Sequence, residues 1–376
     1  MPQTAIPCIL MRGGTSKGPY FRFADLPADV AVRDRVLLAA MGSPDIRQID
    51  GLGGGDTLTS KVAMVGPSNR EDVDVDYLFA QVDIRSAQVD TGPSCGNLLS
   101  GVGAFAIETG MVPARDGVTE MRVYNINTGA RIDLVTQTPG GRVEYEGDAR
   151  ISGVPGSAAP VVCKYMDVTG SKTGNLMPTG QARDTVQGVE VSCIDVAVPC
   201  VFIRAADLDL DGGESSDEIN ANSGLFTRIE AIRREAGTRM GMGDVRDKVL
   251  PKVVLLSAPS PARKDVSVSG DVRSRYLTPQ TCHAAHAVTG GMAVAACCLQ
   301  PGTIAEGLGS AVGHETADEL KERPFVVEHP SGVLELDIGY RLDNGKLVFE
   351  YAGIMRTARK LMEGSVFLPS RIWDGN

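Results

Sequence analysis

The sequence predicts an α+β protein of two pseudo-symmetric lobes, each a sheet curled around one central buried helix. Three features support this fold. Short blocks recur in the same order in both halves, apolar and polar residues alternate with period two, and two helical segments are apolar and small on every side. Alternation is typical of strands, and a helix apolar all round is buried on every side. The repeat distance of roughly 180 residues exceeds the ~20–50 of a solenoid, so it indicates two whole lobes with a cleft between them.

Five blocks match between the halves. The first places residues 18–26 on 200–208, so that Ala-Asp-Leu coincides, and the second superposes Lys61 on Lys252. The third places Cys95 on Cys282, each with a glycine eight residues later. The last two place 123–129 on 326–332 and 149–150 on 358–359. Five matches in register favour an internal duplication.

The individual elements follow from the same patterns. Strands are expected in the segments that alternate, namely 73–83, 121–135, 189–203, 249–256 and 325–338. Amphipathic outer helices are expected at 29–41 and 223–239, and buried helices are expected to begin at Cys95 and at Cys282. The N-terminal lobe is predicted to cover 1–185, with a bridging segment at 158–187, and the C-terminal lobe 186–376.

Composition excludes several classes of function. The chain has 376 residues, 43% hydrophobic and 22% charged, as expected for a soluble globular protein. A net charge of −10 argues against nucleic acid or an anionic membrane as a partner. No apolar run reaches the ~20 residues of a membrane span, and residues 1–14 lack the features of a signal peptide. Eight cysteines without paired spacing favour free thiols and a cytoplasmic location. A homodimer is left open.

Cys95 is the first candidate for chemistry. A thiol at a helix N-terminus meets the positive end of the helix dipole, which favours the thiolate. Gly96 and Asn97 follow directly, and they open the free N–H groups of the first turn to a carboxylate. The alternative for Cys282 is an ordinary buried cysteine, and the sequence does not decide between the two interpretations.

Lys61 is the second candidate. It lies at the start of an apolar strand behind the glycine-rich segment 51–56. Partial burial there favours the neutral amine, which is the form that acts as a base. The alternative is a lysine at a strand end whose charged head lies in water.

The segment 12–18 (RGGTSKG) predicts an anion-binding turn, because glycines and hydroxyls present N–H and O–H donors beside two cations. It lacks the P-loop spacing, and no S-x-x-K motif supports a Ser–Lys hydrolase. The paired turns at 127–129 and 329–332 are further candidates for hydroxyl donors. Cys282, His283 and His286 resemble part of a metal site, but no second cluster completes it, so metal is not expected.

Several blocks of the chain resemble the PrpF family. They are MRGGTSKG (11–18), GSPDIRQIDGLGG (42–54), TSKVA (59–63), CGN (95–97), EHPSG (328–332) and RTARKLMEG (356–364). The resemblance covers essentially the whole chain. It implies the diaminopimelate-epimerase-like fold and an isomerase related to 2-methylaconitate isomerase, methylitaconate delta-isomerase and 4-oxalomesaconate tautomerase. The sequences of residues 47–51 and 77–82 are most similar to the 4-oxalomesaconate tautomerase branch of the family.

The resemblance also implies a mechanism. A proton moves across an allylic system of an unsaturated di- or tricarboxylic acid, with Lys61 as base, Cys95 as acid, Cys282 as a further catalytic candidate and no cofactor. The expected substrate-binding residues are Arg12, Thr15, Ser16, Lys17, Gly96, Asn97, His283, Ser331 and Arg356. The rival interpretations are an aconitate-type isomerase and a non-catalytic accessory protein that binds a tricarboxylate.

Overall fold

A computed structural model describes residues 3–151, 153–260, 270–309 and 319–375. The chain divides into two compact units. Unit 1 consists of Met1–Met166 and Met355–Asn376, and unit 2 of Asp167–Ile354. Within the described residues, no helix combines the length and the apolar character that a bilayer crossing requires.

Unit 1 is built on a mixed sheet. Its strands are β1 (Gln3–Gly13), β2 (Ser16–Arg22), β3 (Lys61–Pro67), β4 (Val75–Val82), β5 (Val89–Asp90), β6 (Gly117–Asn125), β7 (Ala130–Thr138) and β8 (Pro160–Met166). They lie in the order β1-β2-β3-β4-β6-β7-β8, and β5 pairs with β4. The pairs β2–β3 and β4–β6 are parallel, and the other neighbours are antiparallel.

Two helices complete unit 1. Helix α1 (Val30–Met41) begins where the Asp29 carboxylate accepts a bond from the Val32 amide, and it ends at Gly42 in the left-handed conformation. Helix α2 (Gly96–Glu108) is buried along most of its length. It contacts β1, β2, β3, β4, β7 and β8, so the sheet curls around it. Small residues allow this, since a Cβ on Gly101 would lie 2.4 Å from the Tyr20 hydroxyl.

Unit 2 repeats this plan. Its strands are β9 (Asp184–Val186), β10 (Val189–Val196), β11 (Val198–Arg204), β12 (Lys252–Ser257), β13 (Val272–Leu277), β14 (Lys321–His329), β15 (Gly332–Asp343) and the first part of β16 (Lys346–Pro369). They follow in chain order, with β11–β12 and β13–β14 parallel and the other pairs antiparallel. The helices are α3 (Ser216–Ala221), α4 (Ser223–Arg239) and α5 (Val288–Leu299). Helix α5 is buried and contacts strands β10, β11, β14 and β15.

The two units therefore share one order of parallel and antiparallel pairs. Strand β2 corresponds to β11, β3 to β12, and the hairpin β6–β7 to β14–β15. Lys61 and Lys252 are the first residues of equivalent strands, as the repeat predicts. The α+β prediction of a curled sheet with one central buried helix in each half is confirmed.

Three details differ from expectation. The boundary lies between Met166 and Asp167 rather than near 185, because the start of the expected bridging segment forms β8 of unit 1 and its end forms β9 of unit 2. Residues 355–376 return to unit 1, because β16 pairs with β1 from Gln3↔Pro369 to Gly13↔Ala358. The match of 149–150 to 358–359 is not structural, since Ala149 forms only an isolated bridge with Ala158.

A fourth difference concerns Cys282. Helix α5 begins at Val288, six residues after this cysteine, and its N-cap residue is Ala287. Cys282 lies instead in the preceding loop, where it forms an isolated bridge with Leu277. The prediction that both cysteines start a helix is therefore correct for Cys95 and wrong for Cys282.

Candidate active site

The site residues of unit 1 lie around the beginning of α2. Cys95 is the N-cap residue of this helix, and only 7% of it is exposed. Its side chain makes no capping bond, so the amides of Gly96, Asn97 and Leu98 have no acceptor within the helix. These amides and the helix dipole favour an anion at this point.

The turn between β1 and β2 lies against the same helix end. Asn97 Nδ2 donates to Thr15 Oγ1 over 2.9 Å. A Cβ on Gly13 would lie 2.4 Å from the Asn97 carbonyl oxygen, so only glycine allows this close packing. The predicted anion-binding turn and the predicted helix N-terminus are thus brought together.

Ser16 is a buried hydroxyl in this turn. It is 2% exposed, and its Oγ has no hydrogen-bond partner among the described residues. Residues alternate across a strand, so Ser16 lies on the face of β2 that also carries Gly18 and Tyr20, and both of these contact α2. An unsatisfied buried hydroxyl beside a helix N-terminus is suited to a polar ligand.

The cations of the turn have different surroundings. Arg12 Nη1 donates to the carbonyl oxygens of Gly14 and Thr357, both at 2.9 Å, and to Thr357 Oγ1 at 3.0 Å. Burial lowers the pKa of the Arg12 guanidinium, and nearby Arg359 lowers it further. Arg12 thus ties the turn to β16. The main-chain amide of Lys17 donates to the Leu58 carbonyl oxygen over 3.0 Å, which joins the turn to the segment before β3.

Lys61, the first residue of β3, is half-buried. Its Nζ donates to Gln81 Oε1 over 2.9 Å and lies 4.9 Å from the centre of the Phe79 ring. Among the described residues no carboxylate forms an ion pair with it. The main chain of Lys61 packs beside α2, because a Cβ on Gly18 would lie 1.9 Å from the Lys61 carbonyl oxygen and 3.6 Å from Leu98 Cδ2.

Gln81 was not identified from the sequence. Its Nε2 donates to the carbonyl oxygens of Ser60 (2.8 Å) and Thr57 (3.1 Å), so its Oε1 must face Lys61. Behind it, the buried side chain of Gln48 donates to Ser60 Oγ over 2.7 Å and accepts from the Gly55 amide. These contacts depend on the register between β3 and β4 and on the fold of a long loop, and no local sequence pattern reports either.

Three tyrosines surround the first turn of α2, and the sequence interpretation missed all of them. Tyr77 donates to the Cys95 carbonyl oxygen over 3.1 Å, and Tyr20 donates to that of Leu98 over 2.5 Å. The hydroxyl of Tyr165, in β8, would lie 2.8 Å from a Cβ on Gly96. Burial raises the pKa of each phenol, so all three are protonated at neutral pH.

Arg356 belongs to the same unit through β16. Burial lowers its pKa, while interactions with Cys163 and Tyr165 oppose that effect. Its Nη1 donates to the Met355 carbonyl oxygen over 3.0 Å. No ion pair joins Arg356 to a carboxylate within the described ranges.

The predicted residues of unit 2 form a separate group. The Cys282 amide donates to Asn220 Oδ1 over 2.7 Å, and burial raises the pKa of its thiol to about 11, with Arg275 opposing. His283 Nδ1 accepts from the Ala285 amide over 2.9 Å, and Ser331 Oγ donates to the Ala284 carbonyl oxygen. His283 and Ser331 thus stabilise the loop before α5.

His286 belongs to the same loop and is held by one contact to strand β13 and one to the main chain. Its Nε2 lies 3.0 Å from Ser274 Oγ and its Nδ1 lies 2.9 Å from the Ala287 carbonyl oxygen. Nδ1 must therefore carry the proton and donate to the Ala287 carbonyl oxygen, while Nε2 accepts a hydrogen bond from the Ser274 hydroxyl. Burial lowers the pKa of His286 to about 4, so the imidazole is neutral. Both of its nitrogens are occupied, and the described residues contain no cluster of three or more metal-binding side chains.

Comparison with known proteins finds relatives that match nearly the whole chain. A 4-oxalomesaconate tautomerase of Pseudomonas putida is 49% identical over 375 residues, covering 100% of this chain and 99% of that protein. A (4E)-oxalomesaconate Delta-isomerase of Novosphingobium sp. is 47% identical over 366 residues, with 96% and 97% covered. The crystal structure of a methylitaconate-delta-isomerase superposes with a TM-score of 0.86 at 36% identity, covering 99% of this chain and 97% of that one. The family model described as PrpF protein matches residues 3–369, and the chain therefore belongs to the PrpF family.

Proposed function

We propose that this protein is a cofactor-independent isomerase that moves a proton across an allylic system of an unsaturated tricarboxylic acid, with 4-oxalomesaconate as its substrate. The observation that carries the proposal is the half-buried Lys61 amine. It has an amide acceptor and no carboxylate partner among the described residues, and it begins strand β3, which packs against α2. The names of the relatives support the same class of reaction.

The first step is removal of a proton by Lys61. The neutral Nζ takes the proton from the carbon beside the keto group, and the C–H electron pair enters the conjugated system. Gln81 holds Nζ in place with a neutral oxygen, so it orients the amine without adding a negative charge that would favour the ammonium form.

The second step is stabilisation of the dienolate. The negative charge spreads onto the keto oxygen and a carboxylate. The free amides of Gly96 and Asn97 and the unpartnered Ser16 hydroxyl are the donors that this charge requires. Donors fixed in a buried site act strongly, because they need no reorganisation during the reaction.

The third step returns a proton at the far end of the allylic system. We assign this step to the Cys95 thiol, which lies at the N-cap of α2, and water then reprotonates the thiolate as Lys61 releases its proton. Cys282 is a weaker candidate, because it lies outside a helix N-terminus and burial raises its pKa to about 11.

The keto acid is preferred for an energetic reason. An α-keto group delocalises the developing charge better than a carboxylate does, so the adjacent C–H is more acidic and suits an amine base. The Ser16 hydroxyl and the α2 amides then need to supply less stabilisation than they would for 2-methylaconitate. The similarity of 47–51 and 77–82 to the tautomerase branch supports the same choice.

Two measurements test this function. Proton NMR in deuterated solvent should show exchange into 4-oxalomesaconate when the protein is added, whereas a protein that only binds a tricarboxylate would give none. Steady-state kinetics should then give a higher kcat/KM for 4-oxalomesaconate than for 2-methylaconitate or aconitate. A higher kcat/KM for 2-methylaconitate or aconitate would indicate an aconitate-type isomerase. Absence of both proton exchange and turnover would favour the non-catalytic accessory protein.

A further inference from the structure

Tyr165 differs from the other two tyrosines at the beginning of α2. The hydroxyls of Tyr20 and Tyr77 donate to carbonyl oxygens of the first helical turn, so they fix the helix in place. The Tyr165 hydroxyl has no hydrogen-bond partner in the part of the chain that the structure describes. It nevertheless lies close to Gly96, next to the free amides. Its position therefore leaves a donor available to a ligand.

Gly96 maintains that opening. A Cβ at this position would lie 2.8 Å from the Tyr165 hydroxyl, which is closer than real contacts allow. Apart from this hydroxyl, no atom from elsewhere among the described residues lies within 4 Å of that Cβ position, so the space beside the phenol stays free for the oxygen of a bound group.

Arg356 supplies the charge that an anion would need. It directly precedes Thr357, whose carbonyl oxygen accepts from the Gly14 amide and from Arg12, so Arg356 lies beside the turn that packs on the beginning of α2. Its neighbours Tyr165 and Cys163 are not ionised at neutral pH, because burial raises their pKa values. A half-buried guanidinium without a carboxylate partner among the described residues is available to the carboxylate of a ligand.

We propose that Tyr165 and Arg356 form a carboxylate subsite at the N-terminus of α2, which holds a substrate carboxylate away from the reacting carbons. This inference rests on the proposed function, and it adds Tyr165 as a substrate-binding residue. The phenol donates to one carboxylate oxygen and the guanidinium to the other. Charge-assisted bonds of this kind are about twice as strong as neutral ones. The subsite would anchor the substrate while Lys61 and Cys95 handle the protons.

The test uses tricarballylate, a saturated tricarboxylate that no isomerase can turn over, and isothermal titration calorimetry on the full chain. Tyr165→Phe should weaken its binding roughly tenfold, and Arg356→Gln by at least as much. The matched control is Tyr145→Phe, because the Tyr145 hydroxyl lies at the opposite end of α2, 3.3 Å from Glu108. This control should bind like the unchanged protein, and thermal unfolding should show that all variants are folded.

A double variant makes the test specific. If Tyr165 and Arg356 hold the same carboxylate, the combined change should cost less than the product of the two single losses. Binding by Tyr165→Phe within about twofold of the unchanged protein would overturn the subsite, and so would failure of the unchanged protein to bind tricarballylate at all. Because tricarballylate does not react, its binding is measured independently of turnover. If the Tyr165 and Arg356 variants lose binding while the unchanged protein does not turn over 4-oxalomesaconate, the subsite is kept and the proposed reaction is rejected. If the unchanged protein turns over 4-oxalomesaconate while the variants bind tricarballylate normally, the reaction is kept and the subsite is rejected.

Discussion

Lys61 Nζ donates a 2.9 Å hydrogen bond to Gln81 Oε1, and Gln81 is itself fixed because its Nε2 donates to two carbonyl oxygens. The acceptor that faces the amine is therefore a neutral oxygen with a single orientation. A carboxylate in the same place would bind the ammonium ion more strongly and oppose deprotonation. The choice of glutamine over glutamate is thus expected to keep Lys61 available as a base.

Gln81→Glu should lower kcat/KM at neutral pH and move the acidic limb of the pH profile upward. The introduced carboxylate stabilises the ammonium form, so a higher pH is needed to reach the free amine. The expected displacement is about one pH unit or more, which corresponds to roughly tenfold at neutral pH. The measurement is the pH profile of kcat/KM. Gln137→Glu, at a partly buried glutamine of β7, is the control and should leave the profile unchanged. An unchanged profile for Gln81→Glu would contradict the role of Gln81.

Gly18→Ala should displace Lys61. The added methyl group would lie 1.9 Å from the Lys61 carbonyl oxygen, so β2 and β3 must separate at the site. We expect a loss of about 1–3 kcal/mol in the free energy of unfolding together with lower kcat. Gly364→Ala is the matched strand variant, because its Cβ would meet nothing within 4 Å. Denaturant unfolding and steady-state kinetics compare the two, and equal effects would show that Gly18 is not required for the position of Lys61.

Cys95 should react with iodoacetamide before Cys282 does, and tricarboxylate should protect it. Cys95 lies at a helix N-terminus, whereas burial raises the pKa of Cys282 to about 11 and leaves little thiolate at neutral pH. Mass-spectrometric mapping after limited labelling identifies the modified thiol. Labelling of Cys282 first, or labelling of Cys95 that ligand does not slow, would count against the proposed acid.

The protein should lose stability as pH falls from about 6.5 to 4, in part through His286. Burial lowers the pKa of this imidazole to about 4 in the folded state, so between these values the unfolded chain binds a proton that the folded one does not. The contribution amounts to about 3 kcal/mol across the window. His286→Gln should flatten the dependence of the unfolding free energy on pH, and His283→Gln is the control. An equal slope in both variants would rule out this origin.

Much of the fold was predictable because its signals are local. Helix α4 begins at Ser223 and ends at Arg239, as the amphipathic pattern indicates, and α1 starts directly after its N-cap residue Asp29. The prediction that Cys282 begins a helix was wrong because it relied on the same local signals. The alanines that follow it continue the small, apolar pattern, while the bond from the Cys282 amide to Asn220 holds the segment as a loop. That contact joins residues 62 positions apart, and no helix pattern contains it.

The site was predictable only in part. Lys61 and Cys95 stand in recognisable segments, and Ser16 follows the glycines of a turn. Gln81 and Tyr165 lie in ordinary strands, and their proposed roles follow from the strand register and from the position of Gly96 at the start of α2. The return of 355–376 to unit 1 through the β1–β16 pair likewise depends on a contact between the two ends of the chain.

The most direct test of the account is a comparison of Lys61→Ala with Lys252→Ala. The two lysines open equivalent strands in the two units, and both are half-buried, so the variants carry the same local change. The measurement is kcat for 4-oxalomesaconate, with thermal unfolding to show that both variants are folded. Loss of a general base costs roughly 100- to 10,000-fold in rate, so Lys61→Ala should fall by that factor while Lys252→Ala keeps near-normal turnover. Near-normal kcat in folded Lys61→Ala would contradict the claim that this amine removes the proton.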